Sequence, residues 1–171
     1  VKNFGLGYDV VDDLTGKKMG RASSGTYRTA DVVGLDTMTH VIKTLQNGCA
    51  DDPFAASFAI PADVAALLEK GNFGQKTKAG FYKKEGKNVL QFDVKTGEYV
   101  PAGAKADKEV ADILRKAPAE RLKALRESSN PQAQFIWAML RNAFHYAAVT
   151  LEGIADTARD IDLAMRWGYG A

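Results

Sequence analysis

At 171 residues, 46% of them hydrophobic, the chain can bury a sizeable core in one domain, or one domain plus part of another. Its 23 basic and 21 acidic side chains leave a net charge of +2, without the basic excess of a nucleic-acid binder. The single cysteine, Cys49, excludes an internal disulfide, and no apolar run reaches the ~18 residues of a membrane span, so a reducing cytoplasm is the expected compartment.

Taken in chain order, "YDVVDDLTGKKMG" reads as a short helix closed near Gly20, and "GRASSGTYR" as a polar loop. Residues 29–48 read as one long helix. Thr29 caps it and Gly48 closes it in a left-handed conformation. Leu35, Met38, Ile42 and Leu45 share a stripe at helical spacing, with Asp36, His40 and Lys43 opposite. After a loop, "PADVAALLEKG" is a helix with Pro61 in its first turn and Gly71 just past its end.

The period then changes. Val89, Gln91 and Asp93 alternate with Leu90 and Phe92, between the turn sequences "EGKN" and "KTGE". This is a small β-hairpin or a three-strand meander. Residues 102–130 suit one or two amphipathic helices joined through Ala117 and Pro118. "SSNP" is a strong helix start, with Asn130 as cap and Pro131 as first residue. From there to about Glu152 the helix is apolar over more than half its circumference, including Phe135, Ile136, Leu140 and Phe144. So wide a face implies contact on two sides, with a core or a partner subunit. "ARDIDLAMRWG" opens one more helix. Asp12 before Gly20 and Asp162 before Gly170 hint at an internal repeat. Neither end looks like a natural terminus, and the chain is expected to be cut from something longer.

"NFGQKTKAGFYKK" has glycines, basic residues and a Lys-Thr step, like a phosphate loop. Its spacing is wrong. Five residues separate Gly74 and Gly80, Lys76-Thr77 lies between them, and a strand rather than a helix follows. A dinucleotide site fails too: Gly5 and Gly7 are followed by Val10 where a third glycine is required, and no strand precedes them. Two histidines and one cysteine give no metal-ligand cluster. Asp36 and His40 are four apart and could meet, but a solvated helix pair outweighs a catalytic one. Lys76 and Lys78 could meet a phosphorylated ligand or simply be solvated.

Two segments resemble a known family. "GRASSGTYRTADVVGLDTMTHV" is similar to the Arg-Thr-x-Asp-x-x-Gly-Leu-Asp-Thr helix of the 3-hydroxyacyl-CoA dehydrogenase C-terminal domain. "LEKGNFGQKTKAGFYKK" resembles that domain's second signature, Gly-x-x-Gly-x-Lys-Thr-x-x-Gly-Phe-Tyr, in the family's order. The resemblance is to the long bacterial form with two copies of this domain. It implies a mostly α fold, like the C-terminal domain of 6-phosphogluconate dehydrogenase, with a small β-hairpin. Residues 1–101 would be most of the first copy, 102–130 a connecting helical segment, and 131–171 the truncated start of a second.

The resemblance also implies a function. The parent would oxidise a (3S)-3-hydroxyacyl-CoA of fatty-acid β-oxidation with NAD. The NAD-binding glycines and the His-Glu dyad would lie on a preceding domain, so this fragment alone is expected to be inactive. The substrate-binding Asn of the first copy would precede Val1, and Ala138 stands at its place in the second. Arg28, Asp31, Asp36, Lys76, Thr77, Gly80, Phe81 and Tyr82 are the motif or cleft-wall candidates. Expected partners are the acyl-CoA, the NAD-binding domain of the same chain, a fused enoyl-CoA hydratase region and a second copy in a homodimer. The other reading is a stand-alone, non-catalytic helical interaction module. Lys78 stands where the shorter enzymes commonly have glycine.

Overall fold

The computed structural model describes residues 2–169, most of them helical. In chain order the elements are α1 (Tyr8–Thr15), α2 (Tyr27–Val33), α3 (Leu35–Gly48), α4 (Ala62–Glu69), β1 (Tyr82–Glu85), β2 (Asn88–Asp93) and β3 (Glu98–Pro101). They continue with α5 (Lys108–Leu114), α6 (Pro118–Glu127), α7 (Pro131–Ile154) and α8 (Ala158–Tyr169). The chain divides into two compact units. One is Ser24–Ala104, and the other combines the segments on either side of it.

In the flanking unit, α1 turns Val10 and Leu14 onto Val110, Ile113 and Leu114 of α5, Leu125 of α6, and Ala133 and Ile136 of α7. Leu14, Val110, Leu125 and Ile136 are fully buried, each stabilising the unit by about 1.5–3 kcal/mol. The start of α7 forms as its sequence requires. Asn130 Oδ1 accepts the Gln132 amide at 2.9 Å, and Pro131 supplies the fixed φ of a first turn. Gln132 Oε1 accepts the Asp107 amide at 2.8 Å, which ties this start to that of α5. Asp13 receives Lys18 Nζ at 2.6 Å and the Ala106 amide at 2.9 Å. Burial pushes its carboxyl up, but those bonds and the Lys18 and Lys105 charges outweigh it and hold it below the usual range.

The apolar face of α7 is buried most deeply in its first turns. Ala133 and Ile136 are fully buried, whereas Phe144 is 57% exposed and Trp167 of α8 is 77% exposed. Gly170, which ends the suggested repeat, lies outside the described residues.

In the unit Ser24–Ala104, the helix expected over residues 29–48 is two helices. Its apolar periodicity continues through Gly34, but Gly34 takes φ +100° and separates α2 from α3. Thr29 lies inside α2 and is not a cap. Its hydroxyl donates to Gly25 O at 2.6 Å and meets the Ser24 hydroxyl at 2.7 Å. Gly48 is the last helical residue and is not left-handed; the Cys49 amide closes the end on Leu45 O at 2.9 Å. β1, β2 and β3 form the antiparallel meander, with Tyr82 opposite Gln91 and Gln91 opposite Val100. Leu35, Val64, Leu67, Ala79, Phe81 and Phe92 are the buried apolar residues described in this unit.

Candidate functional site

All eight candidate residues lie in the unit Ser24–Ala104, and most of them hold it together. Asp31, on α2, is 4% exposed. Its Oδ1 accepts the Phe81 amide at 2.8 Å and its Oδ2 accepts the Tyr82 amide at 2.9 Å, so one carboxylate clamps the start of β1. A buried carboxylate with two charge-assisted bonds avoids the cost of burying a lone charge. The break at Gly34 lets the Leu35 amide donate to Phe73 O at 2.9 Å.

Two glycines make the approach possible. At Gly74, φ is +113°, and a Cβ would overlap Asp31 O. At Gly80 the backbone is ordinary, but a Cβ would overlap Asp31 Oδ1 and lie 2.7 Å from the Gly74 Cα. Close packing, not an unusual backbone angle, requires glycine at position 80.

The remaining candidates brace this clasp. Lys76 Nζ donates to Asp36 Oδ2 at 2.6 Å, so Asp36 turns to Lys76 rather than to His40 on its own helix. The Lys76 hydrogen bond holds the Asp36 carboxyl below its ordinary value. Asp36 Oδ1 has no hydrogen-bond partner among the described residues. It sits at the amino end of α3, where backbone amides favour negative charge. Thr77 Oγ1 accepts the Phe73 amide at 2.8 Å; its own proton can go to Gly74 O at 3.1 Å or Ala79 O at 3.0 Å. Phe81 is 2% exposed and meets Tyr27 edge-on at 4.6 Å. The Arg28 guanidinium lies 5.0 Å from the centre of the Tyr82 ring.

Sequence reasoning missed Gly34, Asn72 and Tyr99. Tyr99 Oη donates to Gly80 O at 2.7 Å and accepts from Asn72 Nδ2 at 3.2 Å. Burial, with the Asp31 charge adding to it, pushes the Tyr99 hydroxyl up to about 12. Only Gly34 left a sequence signal, a glycine inside a helical run.

The two resembling segments are thus one interlocked structure, and both lie within the stretch that a family model matches. A family model described as 3-hydroxyacyl-CoA dehydrogenase, C-terminal domain, matches residues 5–84. Residues 5–84 belong to that domain family. A probable 3-hydroxyacyl-CoA dehydrogenase of Bacillus subtilis (strain 168) is 39% identical over 167 residues, 96% of this chain and 21% of that protein. A protein of the same description from Deinococcus radiodurans is 39% identical over 84 residues, 49% of this chain and 23% of that protein. The chain therefore spans about a fifth of the length of the Bacillus relative. No solved structure matches it.

Among the described residues there is no cradle that fits NAD. A dinucleotide cradle needs a parallel strand leading through a glycine-rich turn into a helix. The sheet described here is an antiparallel meander. Among the described residues no helix is long and apolar enough to cross a membrane. Beside the clasp lies an open cleft of about 560 Å³, lined by Arg28, Lys78, Tyr82, Lys83, Lys84 and neighbours.

Proposed function

We propose that the chain is part of an NAD-dependent (3S)-3-hydroxyacyl-CoA dehydrogenase of fatty-acid β-oxidation, acting in the cytoplasm. The observation that carries this reading is the pairing of the two family signatures through Asp31, Phe81 and Tyr82. On this reading, residues 1–101 are most of one helical copy, 102–130 connect, and 131–171 begin a second. The chain supplies a wall of the acyl-CoA cleft and contacts to the NAD-binding domain, to a fused hydratase region or to a second subunit. The groups that abstract the hydroxyl proton and hold the cofactor belong to the preceding domain. Asp31, Gly74 and Gly80 are positioning residues that keep β1 and its loop in place.

The test is NADH formation from a 3-hydroxyacyl-CoA. The parent protein turns over and the purified chain alone does not. Turnover by the chain alone contradicts the assignment of catalysis to another domain. An inactive, folded parent contradicts the dehydrogenase reading.

A second reading, a stand-alone helical interaction module, draws support from the exposure of Phe144, Val149, Ile154 and Trp167. Light scattering of the pure chain tests the second reading. A strict monomer counts against self-association.

A further inference from the structure

The open cleft beside β1 has a use that the clasp leaves unassigned. We propose that it is an anion subsite for the phosphate groups of a coenzyme A ester, a reading that rests on the acyl-CoA substrate proposed above. Four cationic residues, Arg28, Lys78, Lys83 and Lys84, line this one cleft, but Lys83 alternates with Lys84 along β1 and sets its ammonium 5.6 Å from the centre of the Tyr99 ring, which leaves Arg28, Lys78 and Lys84 as the cations of the site. Asp31 is the acidic residue of the lining, and both of its oxygens are engaged by the Phe81 and Tyr82 amides. Lys83 is paired with Glu85 at 2.7 Å. Lys78 and Lys84 are exposed and have no ion pair among the described residues.

The backbone gives a second, independent sign. Lys78 is the non-glycine residue with positive φ among the described residues, at +62°. A left-handed lysine costs about 1–2 kcal/mol that glycine would not. Strain of this kind is retained where the side chain has work that glycine cannot do. Lys76 is the other basic candidate of the loop, and its ammonium is held by Asp36.

The ligand class follows from charge and shape. A single carboxylate would meet one of these cations. Several cations around one cleft match a ligand with several phosphate charges, as a coenzyme A ester carries in its diphosphate and its phosphate monoester. A second cleft of about 550 Å³ shares Arg28 and Val89 with the first, and adds Lys87 beside apolar Leu90 and Pro101. That surface suits the flat face of a base next to the phosphates. Each volume is in the range of small-molecule sites, about 300–1,000 Å³.

Isothermal titration of the purified chain tests this, with coenzyme A, pantetheine and inorganic phosphate as probes. Coenzyme A is expected to bind. Pantetheine, which lacks the phosphates, is expected not to bind, and inorganic phosphate is expected to bind far more weakly than coenzyme A. Lys78→Gly and Lys84→Gln each weaken coenzyme A binding about fivefold or more, the scale of one lost charge contact. The first variant suits the backbone and the second changes an exposed strand residue, so a folded protein is available either way. Unchanged affinity in both variants overturns the proposal, as does pantetheine binding as tightly as coenzyme A. Equal binding of phosphate and coenzyme A also overturns it, by assigning the cleft to free phosphate. Turnover by the parent with KM unchanged in both variants removes this subsite but leaves the dehydrogenase reading standing. Charge-dependent coenzyme A binding by the chain, with a folded but inactive parent, does the reverse.

Discussion

Gly80 is glycine because the Asp31 carboxylate occupies the space its side chain would need. A Cβ at position 80 would overlap Asp31 Oδ1, the same oxygen that accepts the Phe81 amide. A residue on a helix and a residue 49 positions later, at the edge of a sheet, are therefore one structural unit.

Removing the carboxylate leaves two amides without their charged acceptor. Asp31→Ala should destabilise the protein by about 3 kcal/mol, the scale of two lost charge-assisted bonds less partial rehydration. Asp31→Asn keeps one oxygen but turns an NH2 group toward the other amide, and should recover at most half of that loss. Denaturant unfolding of the three proteins measures it. Equal stability of wild type and Asp31→Ala would refute the clasp.

Lys78 offers a gain where most substitutions lose. Relief of its left-handed backbone makes Lys78→Gly more stable by about 0.5–1 kcal/mol, after allowing for the greater freedom of an unfolded glycine. Lys78→Ala keeps the strain and should gain nothing. If both stabilise equally, the effect is one of charge rather than backbone.

Tyr99 gives the fold an alkaline sensitivity. Its hydroxyl ordinarily ionises near 10.0 and is pushed up to about 12 in the fold. The unfolded chain therefore loses this proton first, and stability falls as pH rises through that window. Tyr99→Phe loses the bond to Gly80 O, about 1 kcal/mol at neutral pH. In return it should unfold with a shallower alkaline dependence than wild type. Parallel slopes above pH ~10 would contradict the role of this hydroxyl.

Asp36 gives the opposite signature. Its carboxyl is held below the ordinary 3.8, so the stability it contributes is complete above that value and is lost as pH falls further. Because the Asp36–Lys76 pair is largely exposed, Lys76→Met should cost little stability near neutrality. Acid titration of stability should show the wild type converging on the variant below the ordinary carboxylate range. A constant difference at all pH values would assign the effect to packing.

The legible parts of this fold are the local ones. Asn130 and Pro131 start α7 because a cap and a fixed φ act within a single turn. The meander could be read because turn residues and a period of two sit together in residues 82–101. The break at Gly34 was hidden, because an apolar stripe runs on through a glycine whether or not the helix does. The pairing of Asp36 was misplaced for a related reason. Helical spacing points to His40 on the same helix, whereas Lys76 comes from a loop that only the tertiary fold brings near. The eight candidate residues could be named from their family motifs, but their work could not. Bonds from Asp31 to Phe81 and Tyr82, and from Tyr99 to Gly80, join elements that no local pattern connects.

The central claim is that the glycine-rich loop before β1 is a structural corner first and, on the proposed function, part of a ligand wall second. The most direct test measures the melting temperature and the CoA-ester affinity of the parent enzyme in parallel for Gly80→Val. The account predicts a lowered melting temperature, from overpacking against Asp31 worth about 3 kcal/mol, before any loss of binding by the protein that remains folded. An unchanged melting temperature with weakened CoA-ester binding would contradict it.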